Sequence, residues 1–167
     1  LWSRPGGEGA LSIREHIADW SKGDAMAGLW RLYRLRERAG NPLLRDVWTL
    51  LFNRSARRHG GYIGPGAVIL GEPILPHGLH GIYISRYAVV GARCRIYQNV
   101  TIGEVEGKAP VIGEGCLIGA GAVLVGDIRI GADVKIGAGA VVHQDVPDGC
   151  TVVAQPPRIW KRGEGHG

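Results

Sequence analysis

The sequence predicts a mainly β solenoid preceded by a short α-helical segment. Three observations carry that prediction. Aliphatic residues recur every six positions: Ile84, Val90, Ile96 and Ile102, then, after one break, Ile112, Ile118, Leu124, Ile130, Ile136 and Val142. All ten are Ile, Val or Leu, and a period this strict marks a repeat architecture. The residue after each is often glycine: Gly91, Gly103, Gly113, Gly119, Gly131 and Gly137. The fourth residue after each is usually small or β-branched, as at Ala88, Cys94, Val100, Cys116, Ala122, Ile128, Val134, Ala140 and Val146. Six is a poor multiple of the helical 3.6. It suits strands, where positions i and i+4 point to one face. Glycine at i+1 is expected to serve a chain that must turn after every short strand. Short strands and turns, each with one inward aliphatic, describe a β-helix rather than a sandwich, whose strands do not recur at one spacing.

The helical segment is read over residues 1–60, the β-helix over 61–160 and a charged, Gly-rich tail over 161–167. Residues 1–9 are polar and Gly-rich. Ser12 and Glu15 form a capping box for a first helix over Ile13 to Trp20. Asp24 caps a second over residues 25–39, with Met26, Leu29, Trp30, Tyr33 and Arg36 or Glu37 on one face. Gly40 ends it. Asn41–Pro42 opens a third helix with Pro at its first position. Leu43, Leu44, Val47, Leu50 and Leu51 give that helix an apolar stripe, expected to pack, and Gly60–Gly61 stops it. Ile63, Ile69 and Leu75 then start the repeat. After Val142 the rhythm ends at Asp145–Val146–Pro147, and 148–159 reads as a closing strand or cap.

The 167 residues suffice for one domain with a small extension. No apolar run approaches the roughly 20 residues of a membrane span, and no secretory pattern is present. Three cysteines do not make a disulfide framework, and none has metal-ligand spacing. Cys94 and Cys116 fall at inward positions, and a reducing cytoplasm is the expected compartment. The net charge of +5 is compatible with an anionic partner, such as a phosphorylated small molecule, or with a solvated face. The repeat region lacks the aromatic platform that single-stranded nucleic acid requires, so no nucleic-acid partner is expected.

Chemistry is expected where the rhythm fails, because departures from a solenoid period bulge out as loops. The first break inserts three residues between Leu75 and Ile84 and carries Pro76-His77-Gly78-Leu79-His80-Gly81. The second lies between Ile102 and Ile112 and carries Glu104 to Pro110. His16, His59, His143 and His166 read as surface residues. His77 and His80 stand apart: imidazole, with a pKa near about 6.5, accepts a proton at neutral pH. Metal binding would need a third histidine at a matching spacing, and the next is His143, so no metal is expected.

The run Leu75-Pro76-His77-Gly78-Leu79-His80-Gly81-Ile82-Tyr83-Ile84 resembles the histidine loop of the serine acetyltransferases. Ile96-Tyr97-Gln98-Asn99-Val100-Thr101-Ile102-Gly103, Ala109–Gly113, Ile118–Ala122 and Asp145–Pro147 are similar to later motifs of that family, in the same order. A Leu-Pro-His-Gly loop also resembles the branch found in polysaccharide gene clusters. The resemblance covers residues 62–160 and implies a left-handed parallel β-helix of hexapeptide repeats. It implies O-acetyl transfer from acetyl-CoA to a hydroxyl of serine, a sugar or a polysaccharide precursor, within a homotrimer whose sites lie between subunits. His77 takes the role of general base by position, with His80 the second candidate. Gly103 falls where an oxyanion donor is expected. Gly119, Ala120, Gly121 and Ala138 fall along the pantetheine arm, and Lys161 and Arg162 near the coenzyme phosphates. Tyr62 and Lys108 occupy substrate-side positions: Tyr62 stands where the family has an aspartate, Pro76 replaces a second one, and Lys108-Ala109-Pro110 replaces an Arg-His-Pro run. An amino-sugar N-acetyltransferase and a non-catalytic β-helical scaffold are the alternatives.

Overall fold

The computed structural model describes residues 26–156. The first helix expected over Ile13 to Trp20, together with Lys161 and Arg162, lies outside the described residues. Among the described residues two helices come first, α1 (Ala27–Arg38) and α2 (Pro42–Arg58). Fourteen short strands follow, numbered β1 to β14 in chain order. Sheet A stacks β1 (Tyr62–Ile63), β4 (Tyr83–Ile84), β7 (Thr101–Gly103), β10 (Val123–Val125) and β13 (Val141–Val142). Sheet B stacks β2 (Val68–Ile69), β5 (Val89–Val90), β8 (Val111–Ile112) and β11 (Arg129–Ile130). Sheet C stacks β6 (Arg95–Ile96), β9 (Leu117–Ile118), β12 (Lys135–Ile136) and β14 (Thr151–Val152). The extra strand β3 (Pro76–Leu79) belongs to none of the three. All the strand pairs are parallel, so the chain winds through A, B and C in turn as a solenoid.

The six-residue period is the inward column of this solenoid. All ten aliphatics from Ile84 to Val142 are buried, as are all nine fourth-position residues from Ala88 to Val146. Each buried aliphatic side chain contributes about 1.5–3 kcal/mol. A two-residue strand has no stability of its own, so coils hold one another through nearest-neighbour contacts.

The hexad glycines serve a different purpose from the one expected. Gly91, Gly113 and Gly119 lack positive φ. They are needed because coils stack closely there: a Cβ on Gly91 would lie 2.5 Å from the backbone of Gly113, and one on Gly113 2.7 Å from that of Gly131. The left-handed turns fall elsewhere, on Gly81, Asn99, Gly121 and Gly139 at one corner and on Arg93, Gly115, Asp133 and Gly149 at another.

Both ends of the stack are closed by side chains. At the first coil, Tyr33 Oη accepts a hydrogen bond from Ile69 N (3.0 Å) and donates to Ala67 O (3.5 Å). At the last, Asp145 accepts from Arg129 N and Asp148 from Ala132 N, both at 2.8 Å, where a further coil would have supplied carbonyls. The expected closing strand is β14, which pairs with β12.

The helices start and stop as the sequence indicates. Asn41 Oδ1 accepts from Leu43 N at the start of α2. Gly60, at φ +75°, and Gly61 close it by bonding Arg57 O and Ala56 O, the two bonds of a Schellman motif. The packing face of α2 differs from the expected one. Phe52 and Ala56 are buried, whereas Leu43, Leu44, Val47, Leu50 and Leu51 are exposed. Helix α2 carries two apolar stripes, and the solenoid and α1 take the aromatic one. Arg36, not Glu37, faces inward, its guanidinium 4.6 Å over the Tyr33 ring and 5.2 Å over that of Phe52.

Replacing Ile118 by Ala removes a fully buried side chain; unfolding in urea is expected to show a loss of about 2–5 kcal/mol. Leu50→Ala, on the exposed stripe, is expected to stay within about 0.5 kcal/mol. Equal losses at the two positions would contradict the assigned faces.

Candidate active site

The first break sits at one corner of the solenoid, where sheet C hands over to sheet A. Ile74 pairs with Arg95, an offset of 21, while Tyr83 pairs with Thr101, an offset of 18. Three residues are therefore surplus between them, and the register gives them as Pro76, His77 and Gly78. They cannot enter a ladder already in register, so they bulge outward. Gly78 N bonds back to Leu75 O, and Gly78 adopts φ +61°. His77 is exposed on this bulge, its ring 6.0 Å from that of Tyr97 and tilted 55° to it. Tyr97 was not singled out by the sequence; its place one coil above Leu79 follows from the eighteen-residue coil.

His80 lies at the same corner. Its carbonyl accepts from Asn99 N, and its Nδ1 is so close to the backbone that a Cβ on Gly60 would approach to 3.3 Å. The ladder continues upward: Gly121 N bonds Gln98 O, and Gly139 N bonds Ala120 O. His80, Gln98, Ala120 and Ala138 therefore form one column along this edge. The predicted Gly119, Ala120, Gly121 and Ala138 share the corner with both histidines. Small side chains leave this edge as bare backbone, and a Cβ on Gly119 would reach within 2.6 Å of Ala138 N. Gln98, whose backbone belongs to this column, has its Oε1 buried without a hydrogen-bond partner.

Tyr62 stacks on Tyr83 at 5.3 Å, with ring planes 21° apart. With Arg57, Gly60 and Gly81 they line a cleft of about 420 Å³ beside the histidine corner. Tyr62 was singled out in the sequence as a substrate-side position; its stacking partner Tyr83 was not, and stands one coil further on.

Gly103 and Lys108 are at the other edge of sheet A. The second break there folds into a small hairpin, Val105 N bonding Lys108 O and Lys108 N bonding Val105 O around Glu106 and Gly107. Both turn residues have positive φ, as a type I′ turn requires. The fully buried Ser85 donates to the Glu104 carboxylate and accepts from Tyr87 N, which anchors the loop at its root. Within one chain, then, Lys108 and His77 are not brought together.

Cys94 and Cys116 occupy consecutive coils, buried, with Sγ donating to Gly113 O and Gly131 O respectively. The hydrogen bond with Cys116 and then burial push the Cys94 thiol far above the ordinary thiol range. Both cysteines are fully buried at inward positions of the stack, which makes them packing residues.

A solenoid of parallel six-residue repeats with a histidine bulge at one corner defines a hexapeptide-repeat protein. Residues 109–144 match the family model described as bacterial transferase hexapeptide (six repeats). The serine acetyltransferase of Synechococcus elongatus is 43% identical over 117 residues, which are 68% of this chain and 48% of that protein. That of Staphylococcus aureus is 42% identical over 104 residues, 60% of this chain and 48% of that protein. The crystal structure of Neisseria gonorrhoeae serine acetyltransferase in complex with serine superposes with a TM-score of 0.68 at 36% identity, covering 78% of this chain and 55% of that one. The chain therefore carries hexapeptide repeats similar to those of the serine acetyltransferases, and it spans about half the length of the curated relatives it matches.

Lys108 Nζ donates to Asp127 at 2.6 Å, and this bond and the carboxylate's charge hold the ammonium above the ordinary lysine range. The pair contributes while Lys108 is protonated and is lost as pH rises through that raised value. Both side chains are exposed, so its contribution to stability is small. Titration of Lys108 by NMR should give a midpoint above the ordinary value that falls back in Asp127→Asn. An unchanged midpoint would contradict the pairing.

Proposed function

We propose that the protein transfers an acetyl group from acetyl-CoA to an alcohol hydroxyl, with His77 as general base. The observation that carries this reading is the shared corner: the His77 bulge stands at the foot of the same edge that carries Gly119, Ala120, Gly121 and Ala138. In this reading His77 takes the proton of the acceptor hydroxyl. The acceptor oxygen attacks the thioester carbonyl, the new C–O bond forms, and the C–S bond breaks. The imidazolium then returns the proton to the departing thiolate. Tyr97, beside His77, orients the imidazole in place of the family's acidic neighbours, and His80 shapes the acceptor side. The bare corner backbone suits the amide groups of a pantetheine arm. Lys161 and Arg162 are assigned to the coenzyme phosphates, and Gly103 supplies an oxyanion donor. Much of the rate would come from holding both substrates against this corner.

The acceptor is serine or a sugar. Serine is supported by the serine bound to the gonococcal relative. A sugar is favoured by the stacked Tyr62–Tyr83 pair, because aromatic rings suit a sugar better than the carboxylate expected there would. A thiol-release assay with serine, sugars and amino sugars separates these acceptors and includes the N-acetyl alternative.

The two edges of sheet A carry His77 and Lys108 respectively, so a site that uses both needs a second copy. A homotrimer with sites between subunits meets that need. The exposed Val68, Val111 and Val141 on the solenoid faces offer apolar surface for it. No helix among the described residues is long and apolar enough to cross a membrane, and a cytoplasmic compartment is part of the proposal.

His77→Ala is expected to lower kcat/KM by about 10²–10⁴, and His80→Ala by less. Activity retained within about tenfold in the first variant would exclude His77 as the base. Light scattering in solution should give three times the chain mass, and a monomeric mass would remove the inter-subunit site.

A further inference from the structure

Helix α2 exposes a contiguous apolar stripe. Leu43 is 75% exposed, Leu50 69%, Val47 50%, Leu44 47% and Leu51 40%. At about 100° per residue these five fall within an arc of about 120°. Phe52 and Ala56, on the opposite side, are in the core. The same arc runs on, in the last turns of the helix, into Arg54, Arg57 and Arg58. These arginines line a cleft of about 510 Å³ together with Leu50 and Asn53. A continuous exposed patch of this kind marks an interaction surface.

Charge separates the two parts of the chain. Residues 26–60 hold eight arginines against Glu37 and Asp46. Residues 61–156 hold six basic and eight acidic residues. The apolar stripe therefore sits on a strongly cationic hairpin attached to a mildly anionic solenoid. We propose that α2 docks this face on an anionic lipid surface, with its leucines at the acyl boundary and Arg54, Arg57 and Arg58 against lipid phosphates. An apolar helix face flanked by arginines matches that chemistry. A second copy meeting it face to face would set one cationic hairpin against another, which charge complementarity disfavours.

The test uses the full chain and two kinds of vesicle, phosphatidylcholine alone and phosphatidylcholine with about one-third phosphatidylglycerol. Co-sedimentation with the anionic vesicles is expected, with little on the neutral ones. Raising salt to about 1 M, where the Debye length falls to about 3 Å, should weaken it. Arg54→Gln/Arg58→Gln should lower the partition constant about thirtyfold, at about fivefold for each arginine lost near the surface. Leu43→Ser/Val47→Ser/Leu50→Ser should abolish binding. Far-UV circular dichroism and thermal melts check that both variants remain folded. No binding to anionic vesicles, equal binding to both kinds, or binding indifferent to both variants would overturn the proposal. So would self-association, seen by light scattering, that the leucine substitutions remove, because it would assign the face to a second copy.

Discussion

Each coil of this protein is held by hydrogen bonds to the coil on either side, in one fixed register. Tyr83 N bonds Val100 O, Thr101 N bonds Ala122 O and Val123 N bonds Ala140 O, one coil after another. With strands of two or three residues, no coil has a way to adjust alone. Every position is thereby committed to a column: an inward aliphatic column, a close-stacking glycine column, a left-handed corner column. At the ends of the described stack, Tyr33 closes one face and Asp145 and Asp148 the other. A single slip in register would break all of these at once, and this explains how ten hexads can stay so strict.

The same rigidity makes the corner bulge. Three surplus residues cannot be absorbed by a ladder whose next rung is already paired, and they leave the stack with His77 at their centre. Because columns run the length of the solenoid, that bulge stands in line with Ala120 and Ala138 two and three coils away. The four surplus residues of the second break go to the opposite edge of sheet A for the same reason, ending in the Val105–Lys108 hairpin. The geometry of one chain thus keeps His77 and Lys108 apart, which gives oligomeric assembly a chemical purpose in the proposed function.

How much of this could be read from the sequence depends on whether a feature is periodic. The inward columns were legible in full, since Ile84 through Val142 and their fourth-position partners need only counting. So was the histidine bulge, because an interruption is visible against a strict period. What the hexad glycines do was not legible. Gly91 and Gly113 look like turn residues in sequence, but what they avoid is backbone in the neighbouring coil, and the left-handed angles fall on Arg93, Asn99 and Asp133 as well as on glycine. The face of α2 was misjudged because Leu43–Leu51 and Phe52–Ala56 are both apolar, and periodicity finds a stripe without saying what lies against it. Tyr97 and Tyr83 were missed because their partners are set by coil offset rather than by nearness in sequence.

In the proposed function the corner from His77 to Ala138 is one site, set by register. The most direct measurement is a crystal structure of the protein with coenzyme A. The coenzyme's thiol is expected beside His77 and its pantetheine arm along Gly119, Ala120, Gly121 and Ala138. A coenzyme bound on another edge, with its thiol away from His77, would contradict it.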